Sequence, residues 1–421
     1  MGKSVHWKFS HNPISMTCPT KIEILAEQIL VKLPKVSAWQ RRFMLQLFRL
    51  WLGLRGRYNF VNFGRQGDYT EYTYRKHFQK GFDFLTFNIH LVEQYLSQDR
   101  ILAFDPSYVC KSGKHTAGVG YFHSGCAGGR RWGLEFSGIA AVDLEDKTAL
   151  HLEAIQTVEK ADEESLLDYY ASIVELRAAQ LLEVSSYVVA DAYFSRDPFV
   201  SRITGAGFEL ISRFRKDVRL RYFYQGLQSG KGRNKTFDGK VDPRNLRMDI
   251  FLLCDQSDDG TWISYEAIVE VQAWKRAAKV VIKHLINPQT QQITGYRIYV
   301  STDLQLGGKT LVHAYRCRYQ QEFLFRDAKQ HAGLEQGQAR NWQKIDFHLN
   351  ASMTVVSLAK AAHHLDLPLE QRGAFSMADI KTQYANENMA LRILSMCGIC
   401  PNLHKIRKAW PKIINFGRIA A

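Results

Sequence analysis

What this chain lacks narrows its chemistry before any motif is read. No window reaches about 18 uncharged apolar residues, the length a membrane-spanning helix needs, so no span is expected. The start "MGKSVHWKFSHNP" has no apolar run before a cleavage-like site, and His6 stands where an N-myristoylation pattern needs Ser or Thr. The seven cysteines (18, 110, 126, 254, 317, 397 and 400) are scattered and odd in number, which argues against a disulfide framework. A reduced, soluble, intracellular protein is therefore expected. "LGGKT" (306–310) and "KSGKHT" (111–116) lack the glycine that a phosphate loop carries five residues earlier, so no nucleotide cofactor is expected. "CGIC" (397–400) with His404 has no second cysteine pair nearby to complete a zinc site. Acidic residues are also short: 41 Asp and Glu face 56 Lys and Arg, a net charge of +15. That imbalance favours an anionic partner, nucleic acid before membrane surface.

What is present is a large apolar fraction, 46% of 421 residues with 12% aromatic, enough for an extensive core and two or three domains. Residues 1–97 read as helical. "KIEILAEQILVKL" and "AWQRRFMLQLFRLWLGL" repeat apolar residues every three or four positions, and "YTEYTYRKHFQKGF" is a basic, aromatic helix ending at Gly81. Helix, glycine-containing turn and basic helix fit a DNA-reading element as well as they fit plain core helices. From residue 98 to 217 strands and helices alternate: "ILAFDPSYVCK", a hairpin around "SGCAGGRRWG", the helix "ADEESLLDYYASIVELRAAQL", then "SSYVVADAYFS". Residues 218–302 open with a polar, basic stretch and continue as antiparallel-type strands, an all-β insertion. Residues 303–365 return to helices, with His363 and His364 expected on a core-packed one, and 366–421 form a basic helical tail suited to dimerisation. The fold class expected is α/β with helical ends.

Three acids stand out. Asp105 interrupts the apolar "ILAF" strand and Asp191 closes "YVVA"; a carboxylate at such a place is costly unless something pairs with it. The third, Glu322, lies in "AYRCRYQQEFLFRDAKQHAG" with Tyr315, Arg318 and Lys329. On one continuous helix these four would fall within roughly a 60° arc at about 100° per residue. A turn aspartate, a cap, or an i±4 ion pair of Glu322 with Arg318 or Arg326 explains each acid singly. Together they predict a cluster, because two unit charges about 4 Å apart cost about 4 kcal/mol at an effective dielectric of 20. All-oxygen ligation of that kind points to Mg²⁺ or Mn²⁺, two ions of which can drive phosphodiester chemistry.

The pattern Tyr-x2-Arg-x3-Glu-x6-Lys resembles in full the YREK signature of DDE transposases of the insertion sequence 4 family, and "LAFDPSYVCKSGKHT" and "VVADAYFS" resemble its two aspartate motifs. The resemblance covers roughly residues 98–365. It implies a ribonuclease-H-like catalytic core interrupted by the β insertion, with Asp105, Asp191 and Glu322 holding the metals. Tyr315, Arg318 and Lys329, joined by Arg326, are expected on the DNA backbone. It further implies terminal inverted repeats and target DNA as partners, a homodimer in the synaptic complex, a bacterial or archaeal nucleoid location, and cut-and-paste transposition through a DNA hairpin. An aromatic residue of the insert would stack a flipped base in the hairpin step, with Tyr296, Tyr299, Trp262 and Trp274 as candidates. Two other readings stay open: a domesticated DNA-binding protein whose catalytic residues are unused, and a nuclease of the same fold without strand transfer.

Overall fold

The computed structural model describes residues 20–157, 165–228, 230 and 232–419. The opening residues with Cys18, and the first residues of the helix expected from 161, lie outside this set.

Five helices come first: α1 (Lys21–Leu30), α2 (Ala38–Gly53), α3 (Phe60–Gln66), α4 (Glu71–Lys80) and α5 (Phe84–Tyr95). Each starts at a polar residue whose side chain accepts from an otherwise unsatisfied backbone N–H: Thr20, Ser37, Asn59, Thr70 and Asp83. Such caps are each worth about 1 kcal/mol. Gly81 ends α4 at φ +73°, a backbone setting that side chains rarely adopt. α4 buries Tyr74, His77 and Phe78, and turns Tyr72, Lys76 and Gln79 to solvent.

The chain then builds strands β1 (Arg100–Cys110), β2 (Gly120–Ser124), β3 (Gly129–Asp143) and β4 (Thr148–Gln156). Helices α6 (Leu166–Leu176) and α7 (Ala178–Val184) lead to β5 (Tyr187–Val189), and α8 (Phe199–Gly205) leads to β6 (Glu209–Phe214). Six more strands follow: β7 (Leu220–Phe223), β8 (Phe237–Lys240), β9 (Leu252–Gln256), β10 (Trp262–Val271), β11 (Arg276–Ile286) and β12 (Ile293–Ser301). Helices α9 (Gly308–Cys317), α10 (Gln320–His331), α11 (Trp342–Lys360), α12 (Met377–Met396) and α13 (His404–Ile414) complete the described chain. The protein is thus mixed α/β, a large sheet with helical parts at both ends.

Among the described residues one twelve-stranded sheet runs β2-β3-β1-β5-β6-β12-β11-β10-β7-β8, with β4 on β3 and β9 on β10. β1, β5 and β6 are parallel; β3 and β4 run antiparallel in the hairpin, and β12 antiparallel to β6. The strands after residue 218 therefore extend the sheet that begins at β1 rather than forming one of their own. The polar, basic stretch that opens this region contains β7 and β8. Leu220 and Tyr222 are buried while Arg221 between them pairs with Glu270, so the charge that hid the strand is satisfied across the sheet. α11 forms the buried spine: it packs on β4, and its Phe347 lies 4.3 Å from Phe78 of α4. No helix among the described residues is long and apolar enough to cross a membrane.

The single helix expected to carry Tyr315, Arg318, Glu322 and Lys329 is two helices. Arg318 and Tyr319 stay in right-handed helical geometry, but the hydrogen bonds Tyr319 N–Arg316 O (3.3 Å), Gln321 N–Arg318 O (3.0 Å) and Glu322 N–Tyr319 O (3.1 Å) span three residues. α9 lies over β6, β11 and β12, whereas α10 lies over β1, β3 and β4. A sheet this wide twists, and one straight helix cannot follow both regions. The narrow arc computed for a continuous helix therefore does not hold.

Candidate active site

Asp105 sits inside β1, opposite Gly138 of β3. On the other side β5 pairs with β1 only at Leu102 and Ala103 and ends at Val189. Asp105 therefore lies just past the point where the parallel pairing stops, and Asp191 lies two residues beyond the end of β5. Pro106, which cannot donate a ladder bond, stands where β1 has a partner on one side only. Open α/β sheets present ligands at this carboxyl edge of their parallel strands. Asp191 is held by its own turn: its Oδ1 accepts from Tyr193 N (2.8 Å), and its carbonyl accepts from Phe194 N (3.1 Å) and Ser212 Oγ (2.9 Å).

Glu322 arrives from the first turn of α10. Two contacts fix that helix on the strand opposite Asp105. Gln321 Nε2 donates to Gly138 O at 2.8 Å, and the Phe325 ring covers Gly138 so closely that a Cβ there would lie 2.7 Å from it. Replacing Gly138 with Val should therefore push α10 off the sheet and cost about 1–3 kcal/mol of stability. Urea denaturation tests this; an unchanged midpoint would mean that Phe325 yields freely.

Arg318, at the junction of α9 and α10, sits among the acids. Its Nη1 is 3.7 Å from Asp105 Oδ2 and its Nη2 3.1 Å from Glu322 Oε1, with only 14% of its side chain exposed. Its buried Nε has no hydrogen-bond partner. Burial pushes the Asp105 carboxyl up to about 7; Arg318 opposes this, and Asp191, Glu322 and Glu135 add to it by repulsion. Asp105 thus feels the charge of the other two acids, and the Arg318 guanidinium partly balances Asp105 and Glu322. No group of three or more His, Cys, Asp or Glu among the described residues is close enough to hold a metal ion as arranged. The donors are nonetheless all carboxylates, the right type for a hard divalent cation, and their mutual repulsion favours one.

Tyr315 packs edge-on against Tyr299 at 5.4 Å, and burial raises its phenol further, with Arg213 and Arg318 opposing. Lys329 donates to Tyr108 O (2.7 Å) at the far end of β1 and lies 3.7 Å from Glu335. Arg326 does not pair with Glu322: it points outward, paired with Asp327 (3.0 Å) and over the Phe323 ring. Of the four aromatic candidates, Trp274 and Tyr299 are buried, Trp262 is covered by Lys283 and Tyr296 is half-buried. His363 is a packing residue, its Nε2 3.1 Å from Tyr384 Oη and its pKa lowered to about 4 by burial. Glu135 escaped sequence reasoning. It is buried on β3, accepts from Tyr170 Oη (2.6 Å) and Thr157 Oγ1 (3.0 Å), and is held above the usual carboxylate range by burial. A charged residue inside the apolar "GLEFSGIAAV" was the available signal.

Residues 100–358 match the family model described as the transposase DDE domain. No curated protein matches the chain. Among solved structures, the chain is similar to a piggyBac transposase in a synaptic complex with hairpin DNA, at 10% identity and a TM-score of 0.36, over 96% of this chain and 79% of that one.

Proposed function

Because the chain belongs to the transposase DDE-domain family, we propose that it is a transposase of the insertion sequence 4 type, carrying the YREK signature. It would cut DNA strands at the ends of an insertion sequence and join them to target DNA by cut and paste. The observation that supports this reading is that Arg318 bridges Asp105 of β1 and Glu322 of α10, beside the end of the parallel strand β5 whose following loop carries Asp191. The strand path β4-β3-β1-β5-β6, with β1, β5 and β6 parallel, supports a ribonuclease-H-like core.

The three carboxylates would hold two Mg²⁺ or Mn²⁺ ions, which when bound supply positive charge at the scissile phosphate and an activated attacking oxygen. The chain's own residues do the rest. Arg318 neutralises the acids in the resting protein and, on moving to a DNA phosphate, frees them; a guanidinium can serve either anion because both accept its forked donors. Lys329 and Tyr315 brace the two ends of the site on β1 and β12, within reach of backbone flanking the cut. Arg326 faces outward as a further phosphate contact. The outward face of α4 is suited to reading the terminal repeat. A hairpin intermediate would use Tyr296 or Trp262, the candidates that are not buried.

The test is incubation with Mg²⁺ and duplexes bearing the element's terminal inverted repeats, scoring joined products and the mass of the end complex. Strand-transfer products in a complex of two protomers are expected, with Met396 and Ile393 on α12 available as an apolar contact. Hydrolytic cuts without joined products would replace this reading with a nuclease. Binding without any cleavage would replace it with a domesticated DNA-binding protein.

A further inference from the structure

A cleft of about 420 Å³ opens beside the loop that follows Asp191, walled by Ala192 and Ser195, by the turn from β6 to β7, and by Trp274 between β10 and β11. Three arginines line it: Arg196, Arg215 and Arg219. All three are exposed, and none makes an ion pair or a side-chain hydrogen bond among the described residues. Three other arginines in this half of the protein find carboxylates: Arg202 pairs with Glu175, Arg221 with Glu270, and Arg247 with Asp238 and Asp249. Asp217 lines the same cleft and is left unused, so the three guanidiniums are not short of an acid. Three positive groups against one negative leave the cleft cationic.

Its walls are fixed. Trp274 donates from Nε1 to Ser195 O at 3.1 Å and packs on Phe214 at 5.1 Å, which ties the β10–β11 turn to the loop that carries Asp191. Gln272 N donates to Arg219 O at 3.1 Å, joining the same turn to the start of β7. Arg196 stacks over Tyr193, whose N–H holds the Asp191 carboxylate. The arginines are therefore presented from two chain segments, the loop that carries Asp191 and the β6–β7 turn, both braced by the β10–β11 turn. The volume is within the roughly 300–1,000 Å³ of sites that enclose small organic groups, room for a nucleotide or so of one strand and not for a duplex.

We propose that this cleft binds the sugar-phosphate backbone of the DNA strand that runs past Asp191, one strand rather than a duplex, with Arg196, Arg215 and Arg219 each on a phosphate. The proposal rests on the transposase reading of the acid cluster. It assigns the cleft to the path of the cut strand, on the side of the site away from Lys329.

Binding of a short fluorescein-labelled single strand of mixed sequence, without divalent ions so that nothing is cut, tests it by anisotropy across a KCl series. Each single-strand phosphate contact contributes about 0.7 to the slope of log affinity against log salt, so R196A/R215A/R219A should flatten the slope by about 2. Affinity near 100 mM KCl should fall at least about tenfold. The thermal midpoint of the triple variant, whose changed residues are exposed, form no ion pair and lose only the Arg196 stack over Tyr193, should lie near that of the parent. In the parent protein, the same strand should shield these three arginines from phenylglyoxal, as read by peptide mass spectrometry. An unchanged slope, or equal modification with and without the strand, overturns the cleft; if cleavage of end-bearing DNA persists in that case, the transposase reading stands without it. A flattened slope in a protein that never cuts DNA keeps the cleft and overturns the transposase reading.

Discussion

Asp105→Asn should abolish Mg²⁺-dependent strand cleavage, by about a thousandfold or more, equivalent to about 4 kcal/mol of barrier. It should also make the metal-free protein more stable. Asp191→Asn and Glu322→Gln should lose cleavage to a similar degree, with DNA binding largely retained in all three. The gain in stability follows from linkage. The Asp105 carboxyl is raised from an ordinary 3.8 to about 7, chiefly by burial. Between those values the folded chain keeps a proton that the unfolded chain has released. Stability contributed by this group is thus fully present below about pH 4 and is lost as pH rises towards 7. Asparagine never ionises, so the variant's advantage should open across that window and level off above it. Denaturation of both proteins from pH 4 to 8 in chelator gives the difference directly, which cancels other titrating groups such as Asp346. Near-parental cleavage would remove Asp105 from the catalytic assignment, and a difference that does not vary with pH would mean that the carboxyl is not crowded.

Arg318→Ala is expected to have the opposite effect on stability. Removing the guanidinium leaves Asp105 and Glu322 facing each other without a cation, and breaking a largely buried pair costs several kcal/mol. Because Glu322 is 39% exposed, solvent screens part of this, and about 2–3 kcal/mol at pH 8 is the expected loss. Millimolar Mg²⁺ should recover much of that loss in the variant and add less to the parent, where Arg318 already supplies the charge. Thermal melts with and without Mg²⁺ decide it. Equal increments in both proteins would mean that the cation and Arg318 do not share a place.

These two variants mark how far the site could be read from residue order. Asp105 and Asp191 were legible because an ionised group in an apolar strand is expensive wherever the strand ends up. Glu322 was legible from its spacing to Tyr315, Arg318 and Lys329. The direction of those neighbours was not. Arg318 keeps its i,i+4 contact with Glu322 across the junction of α9 and α10, but its contact with Asp105 depends on where that junction lies on the sheet. Lys329 is tied to a carbonyl of β1, 221 residues away along the chain. Glu135 stayed hidden because its partners Tyr170 and Thr157 come from separate segments.

The order of residues by itself determined the helical ends, the strand-rich middle, the excess of positive charge and the choice of three acids as candidates, because capping, periodicity and ionisation cost act over a few neighbouring positions. Tertiary structure alone decided that the strands from β7 to β12 extend the sheet that begins at β1, that an arginine stands among the carboxylates, and that three other arginines face a cleft unpaired. Each of those depends on distances through space between segments far apart in the chain, and ion pairing and sheet extension are settled by such distances.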